Sequence, residues 1–130
     1  MNNSEIWDND GIQIRFMRNP ILEAIVDHKW ESKRVYNCAA FRLENIIYLI
    51  YRAFGDDNIS RLGLAWTKNG TDIDVRLPFH VFEPKEIYEI PSKADSMERT
   101  REKGGCEDPP CTVIGSKIFM VYTAYSKFCQ

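Results

Sequence analysis

The chain has 130 residues, with 17 Lys and Arg against 19 Asp and Glu, a net charge of -2, 44% hydrophobic residues and 28% charged residues. This composition excludes a disordered chain, a transmembrane-helix protein and a basic nucleic-acid binder as starting readings. The length fits one ordinary domain, able to bury roughly two thirds of its unfolded surface.

Met1 to Gly11 carries Glu5, Asp8 and Asp10 and no apolar run, unlike a secretory signal. No stretch approaches the ~18 apolar residues of a membrane span, so no membrane partner is expected. Ile12 to Phe16 alternates with period two and predicts a strand. Val35 to Phe41, Ile46 to Phe54 and Ser60 to Thr67 predict three more, and Asn69-Gly70 a tight turn into a short strand over Thr71 to Val75. From Pro78 to Gly105 the chain is polar and irregular, with Pro84, Pro91 and a charge run from Asp95 to Lys103 that reads as a solvated loop or short helix. Cys111 to Ile114 and Lys117 to Tyr125 are the last predicted strands.

Four cysteines, Cys38, Cys106, Cys111 and Cys129, are too sparse for a disulfide scaffold. Cys106 and Cys111 lack the second close pair or the clustered histidines of a zinc site, so no metal is expected. Four reduced thiols in a cytoplasmic protein is the expectation. Asn2, Asn58 and Asn69 begin glycosylation sequons, read as chance. His28 and His80 show no neighbouring acidic or nucleophilic pattern and read as loop residues.

An internal repeat says more than any single strand. Shifted by 71 residues, Val35-Tyr36-Asn37 falls on Cys106-Glu107-Asp108, Ile47-Tyr48 on Ile118-Phe119, Tyr51 on Tyr122 and Ala53 on Ala124. Each segment predicts a hairpin, one turning at Glu44-Asn45 and the other at Gly115-Ser116, where Gly accepts a positive φ. Counting back from these turns sets Asn37 opposite Arg52 and Asp108 opposite Thr123, so that Asn37 and Arg52 can act together. Sheets of four antiparallel strands repeating along a chain are the blades of a β-propeller. On the residues alone, a small β-sandwich fits the same pattern.

Several motifs then occur in order: Asn19-Pro20-Ile21-Leu22, Val35-Tyr36-Asn37-Cys38-Ala39-Ala40, Tyr48-Leu49-Ile50-Tyr51-Arg52-Ala53, Asp56 to Gly63, Gly105-Cys106-Glu107-Asp108-Pro109 and Tyr122-Thr123-Ala124-Tyr125. Together they resemble family 130 of the glycoside hydrolases, β-mannoside phosphorylases and some β-mannosidases, over residues 12 to 126. The resemblance implies an all-β, five-bladed β-propeller, of which residues 1-130 cover about the first two blades: a lead-in strand and loop over 12-34, a first blade over 35-76, a loop over 77-104 and the start of a second blade over 105-126. It further implies that Asp108 is the general acid and that Asn37 and Arg52 hold the mannosyl unit. Arg61 lies near the same pocket, and Glu107 occupies a variable position beside the acid. The implied partners are a β-mannoside oligosaccharide and inorganic phosphate as co-substrate, with no other cofactor and no nucleic acid.

The physics suits that assignment. A glycosidic oxygen leaves poorly unless protonated, and a carboxyl group can serve when burial or a nearby negative charge raises its pKa. Consecutive strand residues point to opposite faces, so only one of Glu107 and Asp108 is expected to face the channel. Asn37 offers a donor and an acceptor, Arg52 a fork of donors. An inverting phosphorylase uses anionic phosphate, whereas an inverting hydrolase needs a second carboxylate base. The residues leave that choice open. Of the aromatics Trp30, Trp66, Tyr48, Tyr51, Tyr122 and Tyr125, most are expected to pack, with Tyr125 placed best to contact sugar. Pro110 stands where the family usually has Arg. A chain ending inside a second blade would leave open sheet edges, so self-association or completion by further blades is expected.

Overall fold

The computed structural model describes residues 18-90 and 103-126 in full and residues 5-7 and 14-16 as backbone. The charge run over 95-102, Pro91, Cys129 and the start of the predicted Ile12 to Phe16 strand lie outside the described residues.

All described regular elements are strands: β1 Glu5–Trp7, β2 Ile14–Phe16, β3 Arg34–Leu43, β4 Ile46–Phe54, β5 Ile59–Thr67, β6 Val75–Arg76, β7 Gly104–Glu107, β8 Cys111–Ile114, β9 Lys117–Met120 and β10 Thr123–Tyr125. No helix among the described residues is long and apolar enough to cross a membrane. One sheet runs β10-β7-β5-β4-β3, with β6 added to β5. β1 pairs with β2, and β8 with β9, as separate two-stranded sheets.

β4 lies between β3 and β5, and its last four residues are all buried. Alternation sends Leu49, Tyr51 and Ala53 to one face, where with Ala65 they form a core packed by Ile21, Leu22, Trp30 and Val35. On the opposite face, Arg52 is buried as well. Gly63 lies opposite Tyr51 because a side chain there would strike the tyrosine ring, at 2.2 Å from a Cβ.

Two expectations need correction. The predicted Thr71 to Val75 strand is delayed to Val75–Arg76. Asn69 Oδ1 accepts the amides of Thr71 and Asp72, both at 2.9 Å, so side-chain bonding replaces the ladder through the turn. The single strand predicted over Lys117 to Tyr125 divides in two: β9 pairs with β8, and β10 with β7.

The division follows from a bulge repeated 71 residues apart. In the first hairpin the pairing runs from Leu43↔Ile46 to Ala39↔Ile50, then slips so that Tyr36 meets Arg52. In the second it runs from Ile114↔Lys117 to Cys111↔Met120 and resumes with Glu107 opposite Thr123. Asn37 and Asp108 are the first residues of the two bulges, with φ of 48° and 46°. Asn and Asp enter this left-handed region more readily than other residues with side chains. The expected pairings of Asn37 with Arg52 and of Asp108 with Thr123 are therefore each one residue off: an inserted residue had no signature in the hydrophobic pattern.

Candidate active site

The two hairpins meet where β5 and β7 run parallel, joined at Ile59↔Gly104 and Ser60↔Gly105. Gly105 has φ of +124°, and a Cβ there would lie 2.4 Å from the Ser60 carbonyl oxygen. Only a residue without a side chain allows that approach. The contact carries the second bulge to the first.

At the junction, Asn37 Nδ2 donates to Asp108 Oδ1 at 2.6 Å. The Arg52 guanidinium donates to the same oxygen at 2.9 Å and pairs with Glu107 Oε1 at 2.8 Å. Its Nε donates to the fully buried Ser60 hydroxyl at 2.8 Å, and the Tyr36 ring lies 4.8 Å from its central carbon. Arg52 is thus buried and held on every side, while the Asp108 side chain is half exposed. The guanidinium anchors the carboxylate from within the fold, and Asn37 reaches it from the surface.

Glu107 and Asp108 do not take opposite faces, contrary to the expectation from strand alternation. The left-handed backbone at Asp108 ends the alternation and brings both carboxylates to Arg52. The hydrogen bond from Asn37 is the main influence lowering the Asp108 pKa; partial burial opposes it, and Arg52 adds to the lowering. Free of ligand, Asp108 is held as a carboxylate.

Asn37, Cys38, Asp108, Pro109, Pro110 and Cys111 line a cleft of about 500 Å³. Burial, and then Cys111, push the Cys38 thiol up to about 11. Pro110 is exposed, and its carbonyl accepts the Val121 amide at 3.0 Å, so the proline leaves this ladder bond intact.

Two sequence candidates stand apart from the cluster. Arg61 and Ser60 point to opposite faces of β5. The Arg61 guanidinium is engaged by Asp57 at 2.8 and 3.1 Å and lies 3.9 Å from Glu83. Tyr125 pairs with Gly105, three residues before Asp108, or about 10 Å along the strand. Its equivalent in the first hairpin is Phe54, a buried packing residue. The histidines also differ from expectation: His28 Nδ1 lies 2.6 Å from Glu31, and His80 Nε2 lies 2.9 Å from Glu83. Sequence reading missed Ser60 and Tyr36, which fix Arg52. A small hydroxyl residue on the same face of β5 as the fully buried Leu62 was the available signal for Ser60.

Known proteins resemble the chain over most of its length. The family profile of beta-1,4-mannooligosaccharide phosphorylase matches residues 13–128. A beta-1,2-mannobiose phosphorylase from Thermoanaerobacter sp. (strain X514) is 28% identical over 124 residues, covering 85% of this chain and 36% of the relative. A 1,2-beta-oligomannan phosphorylase from the same organism is 31% identical over 119 residues, covering 85% and 35%. A crystal structure of a glycosyl hydrolase from Bacteroides ovatus superposes with a TM-score of 0.66 at 28% identity, over 84% of this chain and 33% of that one. A structure from a study of glycoside hydrolases targeting beta-1,2 mannosidic linkages in Candida mannan gives 0.64 at 28% identity, over the same shares. The chain spans about a third of the length of these relatives.

Proposed function

Since the chain belongs to glycoside hydrolase family 130, that of beta-1,4-mannooligosaccharide phosphorylase, we propose that it forms the acid-bearing part of a phosphorylase of β-mannosides. A phosphate oxygen attacks the anomeric carbon, the bond to the leaving sugar breaks with inversion, and Asp108 protonates the departing oxygen. Mannose 1-phosphate and a shortened mannoside result. Written this way, the reaction needs inorganic phosphate and no metal.

The observation that carries this reading is the convergence of Asn37 and Asp108, 71 residues apart, at 2.6 Å beside an open cleft. The lowered Asp108 pKa gives the substrate a role. A sugar hydroxyl that draws the Asn37 amide away removes the strongest influence keeping Asp108 ionised. The Asp108 pKa then rises as substrate binds, which favours its acid form. Arg52 acts from beneath, fixing the acid rather than presenting free donors to the sugar. The repeated hairpin register and the likeness to longer family structures support a five-bladed propeller, with a first blade over 35-76 and a second beginning over 105-126.

A second reading, mannoside binding without turnover, is favoured by one observation: Asn37 and Arg52 both engage Asp108 Oδ1, an arrangement that favours the charged carboxylate over the acid. Incubation of the chain with β-1,2-mannobiose, with and without inorganic phosphate, separates the readings. Phosphate-dependent mannose 1-phosphate, lost in Asp108→Asn, supports phosphorolysis. Free mannose without phosphate indicates hydrolysis, and binding with neither product supports the second reading. Activity surviving in Asp108→Asn contradicts the assignment of the acid.

A further inference from the structure

Two cysteines meet beside the site and have no part in the chemistry described above. Cys38 follows Asn37 within the first bulge, and Cys111 opens β8, three residues after Asp108. Both line the cleft that Asn37 and Asp108 share, and β3 and β8 pack against each other there. Both are free thiols, Cys38 exposed and Cys111 half-buried.

The 71-residue repeat does not ask for this pair. It sets Cys38 on Pro109 and Ala40 on Cys111, so the two sulfurs come from inequivalent positions and still reach one cleft. Burial raises the Cys38 thiol pKa, and Cys111 raises it further, to about 11. A charge acts this way only over a short range, so the two sulfurs are neighbours. Each donates one weak hydrogen bond to a nearby carbonyl, Cys38 to Ala39 at 3.3 Å and Cys111 to Pro109 at 3.5 Å. Cys106 is fully buried on β7 and does not line the cleft.

We propose that Cys38 and Cys111 are a dithiol modification site, closed to a disulfide by a low-molecular-weight disulfide of the glutathione type. Cys38 attacks first because it is exposed: its thiolate forms a mixed disulfide and displaces one thiol from the reagent. Cys111 then loses its proton and attacks the Cys38 sulfur, releasing the second thiol. The two protein thiols are oxidised, one reagent disulfide is reduced to two thiols, and the two protons leave with them. The new bond ties the residue beside Asn37 to β8. It joins covalently the two hairpins that the Asn37 to Asp108 hydrogen bond already joins. Both thiols have raised pKa values, so neither gains the thiolate stabilisation that makes a disulfide strongly oxidising. The two hairpins alone set the pair.

The test incubates the full chain with glutathione disulfide at about pH 8.5, where an ordinary thiol is half ionised. The products are quenched with acid and their linkages mapped by mass spectrometry. The expected product is a monomer two hydrogens lighter, joined through Cys38 and Cys111 and restored by dithiothreitol. In Cys111→Ser the reaction stops at a mixed disulfide on Cys38, and in Cys38→Ser glutathione uptake slows about 10-fold or more. A wild-type chain that stops at the mixed disulfide, or that leaves Cys38 unmodified, would overturn the proposal. So would a bond from Cys38 to Cys106, to Cys129 or to a second chain. The mapping is done on the wild-type chain, so its result stands whether or not the variants fold.

Discussion

Asn37 and Asp108 occupy the same place in two hairpins 71 residues apart, share a left-handed backbone, and are joined by a 2.6 Å hydrogen bond. The bond favours the charged form of the carboxylate. Asn37→Ala removes the strongest lowering influence, so the Asp108 pKa rises. Carbon-13 NMR titration of the Asp108 carboxyl measures the shift; an unchanged titration would contradict the role given to Asn37.

Arg52 is the buried cation between Glu107 and Asp108. Arg52→Met leaves two carboxylates close together without their shared counter-ion. The expected loss is about 3 kcal/mol, at the low end for a broken buried pair because water reaches Asp108. Ser60→Ala removes one hydrogen bond and costs about 1 kcal/mol. Urea unfolding checks the order: equal losses would show that Ser60 and Arg52 do not hold the roles described.

Gly105→Ala sets a methyl group against the Ser60 backbone at a φ that side chains rarely adopt. It is expected to cost about 2-4 kcal/mol and to loosen the junction between the hairpins. Exchange at the amides of β7 and β10 should speed more than exchange in β3 and β4. Uniform acceleration, or none, would contradict the placement of the junction at this residue.

Asp57, Glu89 and Asp108 all have lowered pKa values. For Glu89, burial pushes upward, but the Lys85 amide, the Tyr122 hydroxyl and the Glu86 amide outweigh it. A carboxylate more acidic in the folded state contributes stability that is complete above its unfolded pKa, about 4, and lost as pH falls through the folded value. The urea midpoint should therefore hold from pH 7 to 5 and fall steeply below about 4. Glu89→Gln with Asp108→Asn should flatten that fall; an equally steep fall would assign acid sensitivity to other groups.

The strands and hairpin turns were legible because Ile46 to Phe54 and Ser60 to Thr67 carry plain patterns and because the 71-residue repeat fixed both turns. The bulges were not legible. Asn37 and Asp108 signal a tolerated left-handed backbone by residue type, yet the same residues are common at strand ends. The pairing of Glu107 with Arg52 was hidden for the same reason, since alternation fails where φ turns positive. Asn37, Arg52 and Asp108 meet in the structure; Arg61 entered on motif proximity and Tyr125 on its place beyond the strand pair, and neither ground reports which way a side chain points.

The central claim is that a mannoside enters between Asn37 and Asp108 and thereby prepares the acid. The most direct measurement is the Asp108 carboxyl titration by carbon-13 NMR in the presence of saturating β-1,2-mannobiose. The account predicts a pKa higher than in the free chain, with a smaller sugar-induced change in Asn37→Ala. An Asp108 titration that the sugar leaves unmoved would contradict it.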